Sequence, residues 1–83
     1  MLQLLILTDD FTGALDTGVQ FVKFGAKTCV TTDPKISFDE TEAKVLVIDT
    51  ETRHIAPEKA FYILREIGQR AAAAGIAQIY KKT

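Results

Sequence analysis

The stretch "LLILTDDFTGALDTG", residues 4–18, decides the fold. Its first four residues are a continuous apolar run, the pattern of a short strand covered on both faces. Phe11, Leu15, Val19 and Val22 then recur at spacings of four, four and three, the period of an amphipathic helix, and Gly25 stands where a C-cap is expected. A buried strand therefore hands over directly to a helix. The handover carries adjacent carboxylates at Asp9 and Asp10, a Thr12-Gly13 pair, and a further carboxylate at Asp16. Asp9 and Asp10 repel each other and lose hydration in such a place, so some group must compensate them.

Working outward, Thr28, Cys29 and Val30 suit a second strand. "TDPKISFDETEA", residues 32–43, mixes Pro, Asp, Ser and Glu and reads as a surface connection with little room for a full helix. "KVLVID", residues 44–49, is the clearest strand. "TETRHIA" leads to Pro57, well placed as a first helical residue, with Glu58 near the positive end of the helix. Ala60, Ile63, Leu64, Ile67, Ala71 and Ala74 form one apolar stripe, Gly75 marks the stop, and "AQIYKKT", residues 77–83, predicts a fourth strand. The alternation predicts an α/β fold in three layers, a mainly parallel sheet of about four strands with two main helices. In such sheets ligands bind at the carboxyl ends of the strands. "TDDFTG", "DTETRH" and "KKT" all fall there, so Asp9, Asp10, Asp49, Arg53, Lys81, Lys82 and Thr83 are expected at one rim.

Composition narrows the function classes. A chain of 83 residues makes one domain and buries only about 60 to 65% of its unfolded surface. Apolar content of 47% and charged content of 25% are those of a globular protein. A net charge of −1 lacks the basic excess that non-specific nucleic-acid binding needs. Cys29 is the single cysteine, which excludes an internal disulfide and suits a small buried hydrophobe. No apolar run approaches the roughly 20 residues of a bilayer crossing, and no basic segment opens the chain. A cytoplasmic protein without membrane or nucleic-acid partners is the expectation. His54 has no Cys or second His at ligand spacing, so no metal site is expected.

Each polar group also has a purely structural reading. Asp10 or Thr12 serves as a helix N-cap, worth about 1 kcal/mol. Thr12-Gly13 permits either a tight turn or close approach of a ligand to free backbone N–H groups. Asp16 points to the site or to solvent. Arg53 meets a ligand, or pairs with Asp49 or Glu51. Lys81 and Lys82 alternate faces in a strand, so at most one readily enters a given site. Glu51 and Glu58 read as solvated.

Beyond periodicity, "LTDDFTGALDTG" closely resembles the N-terminal signature of the four-carbon acid sugar kinases, which phosphorylate threonate, erythronate or 3-oxo-tetronate. Thr8 to Asp16, the "DTETR" segment at Asp49 to Arg53, and "IYKKT" at Ile79 to Thr83 carry the resemblance in order along the chain. It implies an N-terminal domain that binds the sugar acid and a separate C-terminal domain that supplies the ATP site. Asp9, Asp10, Thr12, Gly13 and Asp16 would then line the sugar pocket, and Arg53 would hold the substrate carboxylate, with Lys81 or Lys82 neutralising charge at the rim. For the parent enzyme, in-line transfer of the ATP γ-phosphoryl to the terminal hydroxyl is expected, with Asp10 as first choice and Asp16 as second to orient that hydroxyl or accept its proton.

In the family "KKT" runs on into "DSTLRG", and the nucleotide domain comes later. Residues 1–83 thus resemble the N-terminal part of the sugar-binding domain, with the C-terminal nucleotide-binding domain absent. ATP and Mg²⁺ would belong to the full-length parent, neither is expected to bind tightly here, and this chain alone is expected to be inactive. The partner is a small sugar acid, with a homo-oligomer possible. Thr8 stands where a small residue such as Ala is usual. A second reading is a receiver-like signalling domain, with acidic Asp9 and Asp10, phospho-accepting Asp49 and Lys81. Residues 32–43 are short for the helix it needs, and only one helix separates Asp49 from the lysines. A non-catalytic binding module is the third.

Overall fold

The computed structural model describes residues 2–39 and 42–82. The elements follow in the order β1 (Leu4–Thr8), α1 (Phe11–Lys23), β2 (Thr28–Thr31), β3 (Val45–Asp49), α2 (Pro57–Ala73) and β4 (Gln78–Lys82). All strands are parallel, in the order β2-β3-β1-β4. This is the α/β alternation that the sequence predicts.

Side-chain alternation assigns the faces. Leu5, Leu7, Leu46 and Ile48 pack with Ile67 and Ala71 of α2 on one face. Ile6, Val45 and Val47 pack with Ala14 of α1 on the other. The helices that follow the adjacent strands β1 and β3 therefore lie on opposite faces of the sheet. Such a divergence opens a crevice at the carboxyl ends of the strands. Register then makes the rim level: Thr8 lies opposite Asp49 on one side and Lys82 on the other.

The helix period of α1 is as expected, but its buried face is different. Ala14, Thr17 and Gly18 are buried, whereas Phe11, Leu15, Val19 and Val22 are 43–59% exposed. Small residues face inward because the helix lies close on the sheet: a Cβ added at Gly18 would stand 2.6 Å from Val30 Cγ2. The larger residues are displaced to the flank. On α2, Ile67 and Ala71 are buried, Ile63 and Leu64 are half-buried, and Ala74 is exposed. Both helices stop at glycines with φ of +81° and +75°, Gly25 and Gly75, as expected of a left-handed C-cap.

Residues 32–43 form no helix among those described, yet they are more than a surface connection. Phe38 enters the core. Arg70 of α2 holds the segment, its Nη1 donating to Ile36 O at 3.1 Å and its Nη2 to Pro34 O, while the guanidinium carbon lies 5.0 Å from the Phe38 ring centre. No helix among the described residues is long and apolar enough to cross a membrane.

Candidate functional site

Asp10 is the N-cap of α1. It is extended, and its Oδ1 accepts the Gly13 N–H at 2.7 Å, an interaction worth about 1 kcal/mol. Its other oxygen, Oδ2, lies 2.6 Å from Arg53 Nη1, and Asp9 Oδ2 lies 4.0 Å from Arg53 Nε. Arg53 is thus the group that compensates the acidic pair. It pairs with neither Asp49 nor Glu51.

The loop after β3 positions Arg53 through backbone and hydroxyl bonds. Thr50 donates to Thr8 O from its N–H at 2.9 Å and from its hydroxyl at 2.7 Å. The Thr50 and Thr52 hydroxyls are 2.9 Å apart. Arg53 N–H donates to Asp9 O at 3.3 Å. Thr8 completes the connection, its hydroxyl donating to Asp10 O at 3.1 Å. The chain segment that carries the cation is sewn to the segment that carries the acids.

Asp49, expected at the rim, is fully buried at the end of β3 and does not line the cavity described below. Its Oδ1 accepts the Glu51 N–H at 2.9 Å, and its Oδ2 has no hydrogen-bond partner among the described residues. Glu51 is exposed, with a left-handed φ of 52°. The Glu51 carboxyl is pushed above its ordinary range, first by hydrogen bonding to Asp49 and then by that carboxylate's repulsion. Glu51 is therefore solvated, as expected, but coupled to a buried acid.

A cavity of about 410 Å³ opens between these groups. Asp9, Asp10 and Arg53 line one side, Thr12, Gly13 and Asp16 the first turns of α1, and Lys82 the far side. The Asp16 side chain has no hydrogen-bond or ion-pair partner among the described residues. Lys82 Nζ donates to the Thr17 hydroxyl at 3.1 Å. Lys81 does not line the cavity: in register with Leu7, it takes the α2 face while Lys82 takes the α1 face. Thr83 lies outside the described residues. The larger cavity, about 620 Å³, is mostly apolar and lies on the α1 face over Leu4, Ile6, Phe21 and Tyr80. It offers little to orient a small polar ligand.

Sequence reasoning did not single out Thr17, Thr50 or Thr52. Their only signal is a short hydroxyl side chain just after a buried strand or on the small-residue face of a helix. Among the described residues no group of three or more His, Cys, Asp or Glu side chains is placed to hold a metal ion.

Fold and site together define an α/β domain with a polar cavity at the carboxyl ends of its strands. The family model described as "sugar-binding N-terminal domain" matches residues 4–83, and the chain belongs to that family, the N-terminal domain of the four-carbon acid sugar kinases. A D-threonate kinase of Bordetella bronchiseptica is 35% identical over 85 residues, covering 93% of this chain and 20% of that protein. One of Salmonella typhimurium is 41% identical over 59 residues, covering 71% and 14%. A third, of Cupriavidus necator, is 33% identical over 79 residues, covering 94% and 19%. The chain thus spans a fifth or less of the length of these relatives. No solved structure gives a significant match. The receiver reading is not favoured: receivers order their strands 2-1-3-4-5, whereas here β3 separates β2 from β1.

Proposed function

We propose that the rim cavity binds a four-carbon sugar acid, and that this chain is the sugar-acid-binding part of an ATP-dependent kinase acting on the ligand's terminal hydroxyl. The observation that carries the reading is the cavity's lining, in which carboxylates at Asp9, Asp10 and Asp16 share one space with cations at Arg53 and Lys82. Carboxylates accept hydrogen bonds from hydroxyls, and cations attract an acid group. A polyhydroxy acid has both. Three relatives named D-threonate kinase support a tetronate as the ligand.

In this mechanism catalysis is largely positioning and charge neutralisation. Asp10 has one oxygen on the Gly13 N–H and the other on Arg53, which suits it to build the site. The unpartnered carboxylate of Asp16 is better placed to orient the reacting hydroxyl and accept its proton, which reverses the order of choice between the two aspartates. When bound, ATP would supply the phosphoryl group and Mg²⁺ would neutralise charge on the phosphate oxygens. We place both on parts of a longer protein outside these residues, since Asp9 and Asp10 are matched by Arg53.

Isothermal titration of the purified chain with D-threonate tests the binding role. Saturable one-site binding is expected, weakened by Asp16→Ala. Absence of any binding to the folded chain would contradict it. The chain by itself is expected to transfer no phosphate from ATP to D-threonate, and phosphothreonate formed by the 83-residue chain would refute that division of labour.

A further inference from the structure

We propose that Lys82, held by the Thr17 hydroxyl, takes the carboxylate of the sugar acid, while Arg53 serves the protein's own acidic pair. The proposal rests on the sugar-acid reading above and fixes which end of the cavity receives the ligand's charge.

The two cations differ in what they have left to give. Arg53 lies within 4.0 Å of both Asp9 and Asp10, and its contact with Asp10 Oδ2 is 2.6 Å. A ligand carboxylate arriving there would be a third anion beside one cation. Lys82 lines the same cavity and has no carboxylate within ion-pair distance among the described residues. Its described hydrogen-bond partner, Thr17, is neutral. One of its three N–H donors is used, and two remain for an incoming anion.

Thr17 gives this lysine a defined position. A lysine on an exposed strand end normally samples many rotamers, and β4 is exposed along its whole length. Thr17 is 9% exposed and sits on the inward face of α1, where its Oγ1 accepts from Lys82 Nζ at 3.1 Å. It is a positioning residue: the hydroxyl fixes the ammonium over the second turn of α1, on the side of the cavity away from Arg53. A tetronate bound with its acid group on Lys82 turns its hydroxyls toward the aspartates. The expectation that Arg53 holds the carboxylate gives way on these grounds.

A structural pin between β4 and α1 would show the same hydrogen bond, so the test must read the ligand's charge. A ¹⁵N-labelled chain is titrated with D-threonate while the Lys82 ammonium, the Arg53 Nε–H and the backbone amides of Thr12 and Gly13 are followed by NMR. The Lys82 signal should move with the same saturation curve as the amides, and the Arg53 signal should not. Lys82→Met should weaken D-threonate binding roughly 10- to 100-fold, the usual range for losing a charge-assisted contact. Thr17→Val should weaken it roughly 3- to 10-fold, as for one neutral hydrogen bond. Thr17→Ser, which keeps the hydroxyl, should restore it. The neutral tetritol should bind wild type and all three variants alike. A threonate-dependent shift at Arg53 without one at Lys82 overturns this proposal and leaves sugar-acid binding intact. Equal losses on the acid and the tetritol also overturn it, in favour of the pin. No shift anywhere in the cavity overturns both readings.

Discussion

Arg53 enters the cavity from the loop after β3 and Lys82 from the end of β4, and the two sides of the rim are built by different means. Both strands pair with β1 in the same register, yet β3 is buried at every position and β4 exposed at every position. On the β3 side, Thr50, Thr8 and the Arg53 backbone fasten one loop to the other, so the guanidinium is delivered to the acids whether or not a ligand is present. On the β4 side, a lysine–threonine hydrogen bond holds a cation with no carboxylate within ion-pair distance among the described residues. Charge matched within the protein stabilises the site. Charge left unmatched is available to a ligand.

Separating the two sides begins with the seat of α1, which carries Thr17. Gly18→Ala drives a methyl to 2.6 Å from Val30 Cγ2. Overpacking of this kind costs about 1 to 3 kcal/mol, partly offset by the better helix propensity of Ala. Urea unfolding should show a net loss of up to about 2 kcal/mol, and the lifted helix should weaken the Thr17–Lys82 contact while leaving Arg53 on its acids.

Asp10→Ala should come next, because it removes the cap and the nearer partner of Arg53 together. A loss of about 1.5 kcal/mol is expected, roughly two thirds of it from the cap. Asp10→Asn keeps a capping oxygen and should recover most of that stability. If Asn and Ala cost the same, the cap is not what Asp10 contributes.

Arg53→Ala leaves the acidic pair uncompensated. Its side chain is 56% exposed, so solvent screening limits the stability loss to about 0.5 to 1 kcal/mol. Added salt should recover part of it, since screening also weakens the repulsion between Asp9 and Asp10. A salt-independent loss would point to packing of the arginine stem instead.

The smallest effect concerns Glu51. Its folded-state carboxyl is raised above 4.5, so the folded chain holds that proton longer than the unfolded chain does. Stability linked to this group is complete below about pH 4.5 and declines as pH rises through the raised folded value. Glu51→Gln keeps a donor for Asp49 and removes the titration. The difference in urea midpoint between wild type and the variant should therefore change with pH across that window and be flat above it. A pH-independent difference would sever Glu51 from Asp49.

Much of this arrangement was legible in the sequence because strand periodicity is local. Leu4 to Leu7 and Val45 to Ile48 announce buried strands, and polar residues directly after them fall at the rim once the sheet is parallel. The cavity lining follows from that rule for Asp9, Asp10, Arg53 and Lys82, whereas Thr12, Gly13 and Asp16 were implied by the family resemblance alone. What could not be read depends on distances between elements. The inward face of α1 is chosen by how closely it approaches β2, which favours Ala14, Thr17 and Gly18 over Leu15 and Val19. Phe38 enters the core because Arg70 of a distant helix covers it. Arg53 finds Asp10 rather than Asp49 because Thr50 folds the loop back over β1. Between Lys81 and Lys82 the choice needed the register with β1.

The claim that Lys82 and not Arg53 faces the ligand's acid group is tested most directly by charge selectivity. Calorimetry gives the ratio of affinities for D-threonate and for the neutral tetritol in wild type, Arg53→Met and Lys82→Met. The ratio should persist in Arg53→Met and collapse in Lys82→Met, by roughly the 10- to 100-fold that one charge-assisted contact supplies. A ratio that collapses in Arg53→Met and persists in Lys82→Met would contradict the account.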